Sequence, residues 1–144
     1  MIITDVGSTK QTIIDAAQPL IERGDIFIGG HPMAGSHEPG IQAGRVDLFK
    51  DAYYFLIPTS GSKGVSELKD LLSGLNVNWY LIHARQHDKI VTQLSHVPHV
   101  IATALSDSIG GTFKDHRELL KLAAGGFKST TRIAKSDPTM WSAI

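Results

Sequence analysis

The period of the apolar residues changes at His83, and that change limits what this chain can fold into. Before it, short β-branched or aromatic runs alternate with helically spaced segments. After it, only helical spacing remains. Residues 2–6 read as a strand that ends in Gly7-Ser8-Thr9, a turn suited to capping a helix. Ile13, Ile14, Ala17, Leu20 and Ile21 then mark one buried face of a helix over residues 10–23, with Gly24 placed to stop it. Residues 26–28 give a second strand, 51–58 a third and 78–83 a fourth, with an amphipathic helix over 65–74. Strand, helix, strand in this rhythm predicts parallel pairing with right-handed crossovers.

Beyond His83, Ile90, Leu94, Val97, Ile101, Leu105 and Ile109 recur every three or four residues, predicting one long helix interrupted at Gly110-Gly111. A further helix is expected over 115–124, then a flexible break at Gly125-Gly126, then the first turn of another helix after Asp137-Pro138. The fold class expected is α/β followed by α: part of a Rossmann-like parallel sheet in residues 1–84, joined to a helical region in 85–144. Four strands with so few covering helices would leave apolar faces without partners, so both ends read as cut and the surface as one that ends in an interface.

Composition narrows the function classes. The chain has no cysteine, which removes disulfides, thiolate metal sites and cysteine nucleophiles together. Fourteen basic side chains balance fourteen acidic ones, so no global field favours nucleic acid or an anionic bilayer. The longest apolar run, 52–57, is far too short to span a membrane, and no basic-then-apolar leader follows Met1. A cytoplasmic address is the expectation. Seven histidines hold most of the remaining chemical interest.

Four segments could carry chemistry. Gly29-Gly30-His31-Pro32-Met33-Ala34-Gly35-Ser36-His37 follows a strand, and open α/β sheets bind ligands beyond the carboxyl ends of their strands. An isolated histidine in such a turn is otherwise one satisfied by backbone hydrogen bonds. Ser95-His96-Val97-Pro98-His99 puts two histidines three apart on a helix that Pro98 disturbs at the carbonyl of Leu94. No carboxylate stands at a conventional ligand spacing from them, so no metal is expected, and a kinked core helix with one bonded histidine is the plainer alternative. Lys128 and Arg132, four apart after Gly125-Gly126, suit capture of a small anion, or are a solvated charge pair. Asp5-Val6-Gly7-Ser8-Thr9-Lys10 is a small polar turn that can hold a ligand, cap the helix, or both.

In this order, DVGSTK, GGHPMAGSH, SHVPHVIA, AAGGFKSTTRIA and SDPTMW resemble segments of the prephenate dehydrogenase family, NAD-dependent enzymes of tyrosine biosynthesis. The resemblance runs over nearly the whole chain, and five collinear segments make it specific. It implies a Rossmann-like portion followed by a helical dimerisation domain, hence a homo-oligomer, most simply a dimer. It implies that His31 bonds the ring hydroxyl of prephenate as catalytic base and that Ser8 orients substrate and nicotinamide together. By the same resemblance Gly7, Ser8 and Pro32 flank the cofactor, Arg132 binds a substrate carboxylate and His99 lines the same pocket. Lys128, Ser36 and His37 are implied at that pocket's edge, although His37 stands where some members carry glutamate. His96 is implied to stand behind them.

The family's Gly-x-Gly-x-x-Gly turn occurs nowhere in these 144 residues. A truncated form with little NAD affinity or activity by itself is therefore expected. Arogenate, which has an amine where prephenate has a side-chain ketone, is the alternative substrate. A catalytically silent aromatic-acid-binding module and a sugar- or hydroxyacid-dehydrogenase relative are the alternative functions. The expectation with the most at stake is that His31 and Arg132 converge on one cavity.

Overall fold

The computed structural model describes residues 1–35, 40–136 and 141. They form two compact units, residues 1–35 with 40–91, and residues 92–136 with 141.

In the first unit, β1 (Ile2–Thr4) leads into two short helices, α1 (Gln11–Ala16) and α2 (Gln18–Glu22), where the spacing predicts one. The break lies at Ala17, and Pro19 explains it: a proline in the first turn of α2 has no N–H to continue the ladder from α1. Gly24, at φ +94°, ends α2 as expected. β2 (Ile26–Pro32) follows and pairs parallel to β1, with Ile2 opposite Ile26 and Thr4 opposite Ile28.

β3 (Tyr53–Pro58) pairs with β2 antiparallel, with Gly30 opposite Leu56 and His31 opposite Phe55. This corrects the all-parallel expectation for the sheet. A parallel return needs a crossover element, usually a helix, and the described residues between β2 and β3 hold only a single 3-10 turn, Ile41–Ala43. After α3 (Val65–Leu71) and a 3-10 turn at Ser73–Leu75, β4 (Asn78–Leu81) restores parallel pairing against β3. The sheet is thus mixed, in the order β1-β2-β3-β4.

Both faces of the sheet's centre are covered, which is why β2 reads as a continuous buried run from Phe27 to His31. Ile28, Tyr54 and Leu56 pack on Val65 and Leu68 of α3, joined at the margin by Trp79 and Leu75. Strand alternation sends Phe27, Gly29 and His31 to the opposite face. There α1 packs against α4 (Ala84–Val91). That face carries the polar chemistry of the unit.

The second unit begins with a wide π-type turn over Thr92–His96, followed by α5 (Val97–Thr112). Residues 90–109, expected as one long helix, are helical throughout, with the π-type stretch inside the run. The wide turn makes Pro98 a first-turn residue of α5, where its missing N–H costs little. Gly110 and Gly111 do not interrupt α5, which runs through both. The helix expected over 115–124 is a 3-10 segment, Arg117–Leu122. Gly125 and Gly126 form the first turn of α6 (Gly125–Thr131) instead of a break, since extended Ala124 precedes them and helix entry tolerates glycine. A 3-10 turn, Arg132–Lys135, follows, and it and α6 both pack on α5. Ile109, Phe113, Leu120 and Phe127 help line an apolar cavity of about 330 Å³ there. No helix among the described residues is long and apolar enough to cross a membrane.

Candidate active site

The carboxyl ends of β1 and β2 lie side by side, and one carboxylate ties them. Asp5 accepts the Gly7 N–H at 2.8 Å within its own turn and the Gly30 N–H at 3.0 Å from β2. Lys10 closes the arrangement: its Nζ pairs with the Asp5 carboxylate and donates to the Gly30 carbonyl at 2.6 Å, and its side chain is fully buried. Burial pushes the Lys10 amine down, opposed by its bond to Asp5 and by the charges of Asp5 and Asp88. Gly30 is glycine for a steric reason. A Cβ there would collide with the Asp5 backbone carbonyl and stand 3.1 Å from both Thr4 Oγ1 and the Tyr54 hydroxyl.

His31 is the next residue along β2, 8% exposed, with its ring against Phe55. Its Nδ1 lies 2.8 Å from Nε2 of His87, which is fully buried on α4. His87 Nδ1 in turn lies 2.8 Å from Asp88 Oδ1. The same Asp88 carboxylate accepts the backbone N–H of Lys10 at 2.8 Å and of Gln11 at 2.9 Å, so it caps the start of α1 from α4. Burial, the largest influence on Asp88, pushes its carboxyl up. The bonds from Gln11, His87 and Lys10 outweigh it and hold the group below its usual value. Burial pushes the His87 imidazole down, more than Asp88 raises it, so the ring is kept neutral.

The second unit gathers another set. His99 on α5 stacks on Trp141 with ring centroids 3.5 Å apart and planes 10° from parallel, while His96 meets the same indole edge-on. The His99 ring bonds the backbone of Ile133, beside Arg132, and burial lowers its pKa against the pull of that bond. Lys128 on α6 and Arg132 at the next turn are both exposed. Among the described residues, the buried Trp141 Nε1 has no hydrogen-bond partner.

Of the residues singled out in the sequence, Gly7, Ser8, His31 and Pro32 gather at one end of the sheet in the first unit. His99, Lys128 and Arg132 belong to packed elements of the second. Ser36 and His37 lie outside the described residues. Sequence reasoning missed His87 and Asp88, which stand 56 and 57 positions beyond His31. The adjacent His-Asp pair on a helix was the one available signal, and nothing in the sequence connects it to His31. Asp5 and Lys10 lay within a motif already singled out, but their burial against β2 was not visible.

Residues 1–81 match the family model described as prephenate dehydrogenase, nucleotide-binding domain, and residues 83–144 match the one described as prephenate dehydrogenase, dimerization domain. The chain is 43% identical over 145 residues to a prephenate dehydrogenase of Lactococcus lactis subsp. cremoris, an alignment covering 100% of this chain and 40% of that protein. It is 40% identical to one from Bacillus subtilis, covering 100% of this chain and 39% of that protein. The chain thus spans about two fifths of the length of these curated relatives. Among solved structures, the prephenate dehydrogenase from A. aeolicus in complex with hydroxyphenyl propionate and NAD+ is similar with a TM-score of 0.78 and 34% identity, over 97% of this chain and 49% of that one.

Proposed function

The chain belongs to the prephenate dehydrogenase family, and from that premise we propose that its residues form the substrate side of an NAD-dependent oxidative decarboxylation of prephenate to 4-hydroxyphenylpyruvate. Prephenate carries two carboxylates and a ring alcohol. Hydride leaves the carbinol carbon, the ring carboxylate departs as carbon dioxide and the ring becomes aromatic, so the protein's task is to orient the reactants and manage one proton. His31 takes the hydroxyl proton as the oxygen gains carbonyl character and returns it to the phenolate, leaving no net proton released. Ser8 orients that hydroxyl. Arg132 holds a carboxylate as a bidentate fork, and Lys128 adds positive charge at the pocket's mouth. We assign His99 to the same substrate site; it stacks on Trp141, whose Nε1 has no hydrogen-bond partner among the described residues. Ser36 and His37 are assigned to substrate binding by the family resemblance alone.

The single observation that carries this reading is the hydrogen-bonded series His31, His87, Asp88 beside the Gly7-Ser8 turn, which is what an imidazole acting as a base needs behind it.

The cofactor fits at one end. At Gly7 a Cβ would lie 2.6 Å from Ile13 Cδ1 and 3.1 Å from Asp5 Oδ2, so this turn beside Ser8 is closely packed. NAD supplies the hydride acceptor when bound, with Gly7, Ser8 and Pro32 at its nicotinamide end. The start of α1 is not open to its phosphates, because Asp88 already caps it. The domains we assign are a Rossmann-like portion through residue 84 and the start of a helical substrate and dimerisation domain from 85, in a cytoplasmic homodimer.

Calorimetric titration of prephenate into the chain tests the reading. Binding is expected, and Arg132→Ala is expected to weaken it about tenfold or more, since a charge-assisted bond contributes roughly 1.5–3 kcal/mol. Unchanged affinity in Arg132→Ala would remove the assignment. Arogenate, titrated in parallel, reports which side chain the pocket prefers. NADH formation by the chain alone is expected to be undetectable, and robust turnover would overturn that expectation.

A further inference from the structure

His87 is enclosed between two hydrogen-bonding partners, and together they dictate where its proton sits. Asp88 is ionised and can only accept, so the nitrogen facing it, His87 Nδ1, carries the hydrogen across 2.8 Å. A neutral imidazole has one N–H, which leaves the lone pair on Nε2. The atom 2.8 Å from that lone pair is His31 Nδ1, which must therefore donate. We propose that His87 and Asp88 are positioning residues that fix His31 as its Nδ1–H tautomer, so that Nε2 is the nitrogen that takes a proton, and that they share the charge which results.

Three elements hold the series in register. His31 is on β2 opposite Phe55, whose ring meets His87 edge-on at 5.0 Å between centroids. His87 and Asp88 are neighbours on α4, and Asp88 is itself held by the N–H groups of Lys10 and Gln11 at the start of α1. A carboxylate fixed by two backbone donors has little freedom to present its other face to the imidazole. Among the described residues, Asp5 and Lys10 also face His87, and Asp88 is the charge directly bonded to it.

For the base assigned to His31 above, on which this step of the inference rests, the proton count closes without breaking the series. The substrate hydroxyl gives its proton to His31 Nε2. The hydrogen on Nδ1 then moves toward His87 Nε2, so the positive charge is spread over two rings and opposed by Asp88. Reversing both shifts returns the proton to the phenolate oxygen. The logic is that of a nucleophile–base–carboxylate triad, with a second imidazole inserted between base and carboxylate.

The test reads the tautomers directly. In the uniformly nitrogen-15-labelled chain, above the pH range in which histidine titrates, long-range proton–nitrogen correlations assign each imidazole nitrogen as protonated or not. Both His87 and His31 are expected as Nδ1–H. In Asp88→Asn the side chain can turn an amide donor toward His87, and His87 is expected to change to Nε2–H, with His31 following to Nε2–H. A purely packing role for Asp88 would move neither. His31 found as Nε2–H in the unsubstituted chain overturns the proposal even if the variant fails to fold. An unaltered His31 tautomer in a folded Asp88→Asn chain overturns it as well. Turnover does not enter this measurement: if the tautomers are as expected and prephenate does not bind, the catalytic reading falls and the positioning stands.

Discussion

Lys10 is a cation with no contact with water, held by the Asp5 carboxylate and the Gly30 carbonyl. Taking an ammonium out of water is costly, and only close partners offset the loss. Removing one partner of such a pair leaves the other charge stranded. Lys10→Met keeps the length of the side chain and is expected to destabilise the first unit by about 3 kcal/mol, at the lower end for broken buried pairs, because Asp5 retains its two N–H donors. Asp5→Asn combined with Lys10→Met should recover part of that loss, and urea unfolding of the parent and the two variants measures both. A Lys10→Met chain as stable as the parent would show that the pair contributes nothing net. The sequence made His31 legible because a glycine-rich turn after a strand has few other uses. It hid Lys10, since a lysine next to a helix start ordinarily faces solvent, and only Asp5 and the Gly30 carbonyl of β2 turn it inward. His87 was hidden for a related reason: a histidine on an amphipathic helix cannot be told from a core residue until its neighbour across the fold is known.

At the scale of elements, α4 and α1 are joined by a carboxylate, which makes their docking sensitive to acid. His87 has its pKa lowered below 6.5 in the folded chain, chiefly by burial. The unfolded chain therefore binds this proton more readily. The stability contributed by keeping the ring neutral is complete above 6.5 and is lost as pH falls from there toward the lowered folded value. Asp88 acts lower down: its stabilisation is present above 3.8 and disappears as pH drops through its depressed value. The thermal midpoint should be level above neutrality and fall below 6.5, with a shallower fall in His87→Gln. His99, also lowered, adds to the slope in both chains. A fall of equal steepness in both chains would remove His87 from the account. Element types were largely legible here, whereas breaks and directions were not. Pro19 divides a helix whose apolar spacing runs through it, and Pro98 follows a π-type stretch inside another. The antiparallel turn of β3 depends on what lies between β2 and β3, where the sequence has no helical period to mark a crossover and no tight-turn signal to mark a hairpin.

At the scale of the whole molecule, the second unit leaves apolar side chains in solvent along α5 and the turn before it. Leu94 is 77% exposed, Val100 63% and Ile101 57%. A surface of that kind marks a contact, and a helix that offers it is most economically covered by the same surface of a second copy related by a two-fold axis. The match of residues 83–144 to a dimerisation domain points the same way. In a two-fold interface each substitution is felt twice. Burial of one large aliphatic side chain contributes roughly 1.5–3 kcal/mol, so Ile101→Glu removes about twice that from the dimer and adds two facing carboxylates. The dissociation constant is expected to rise by roughly a hundredfold or more. Sedimentation velocity over a range of concentrations would show a dimer for the parent chain and a monomer for Ile101→Glu, with the helical content of both unchanged. If the parent sediments as a monomer at every concentration, the exposed row on α5 is not covered by a second copy of this chain.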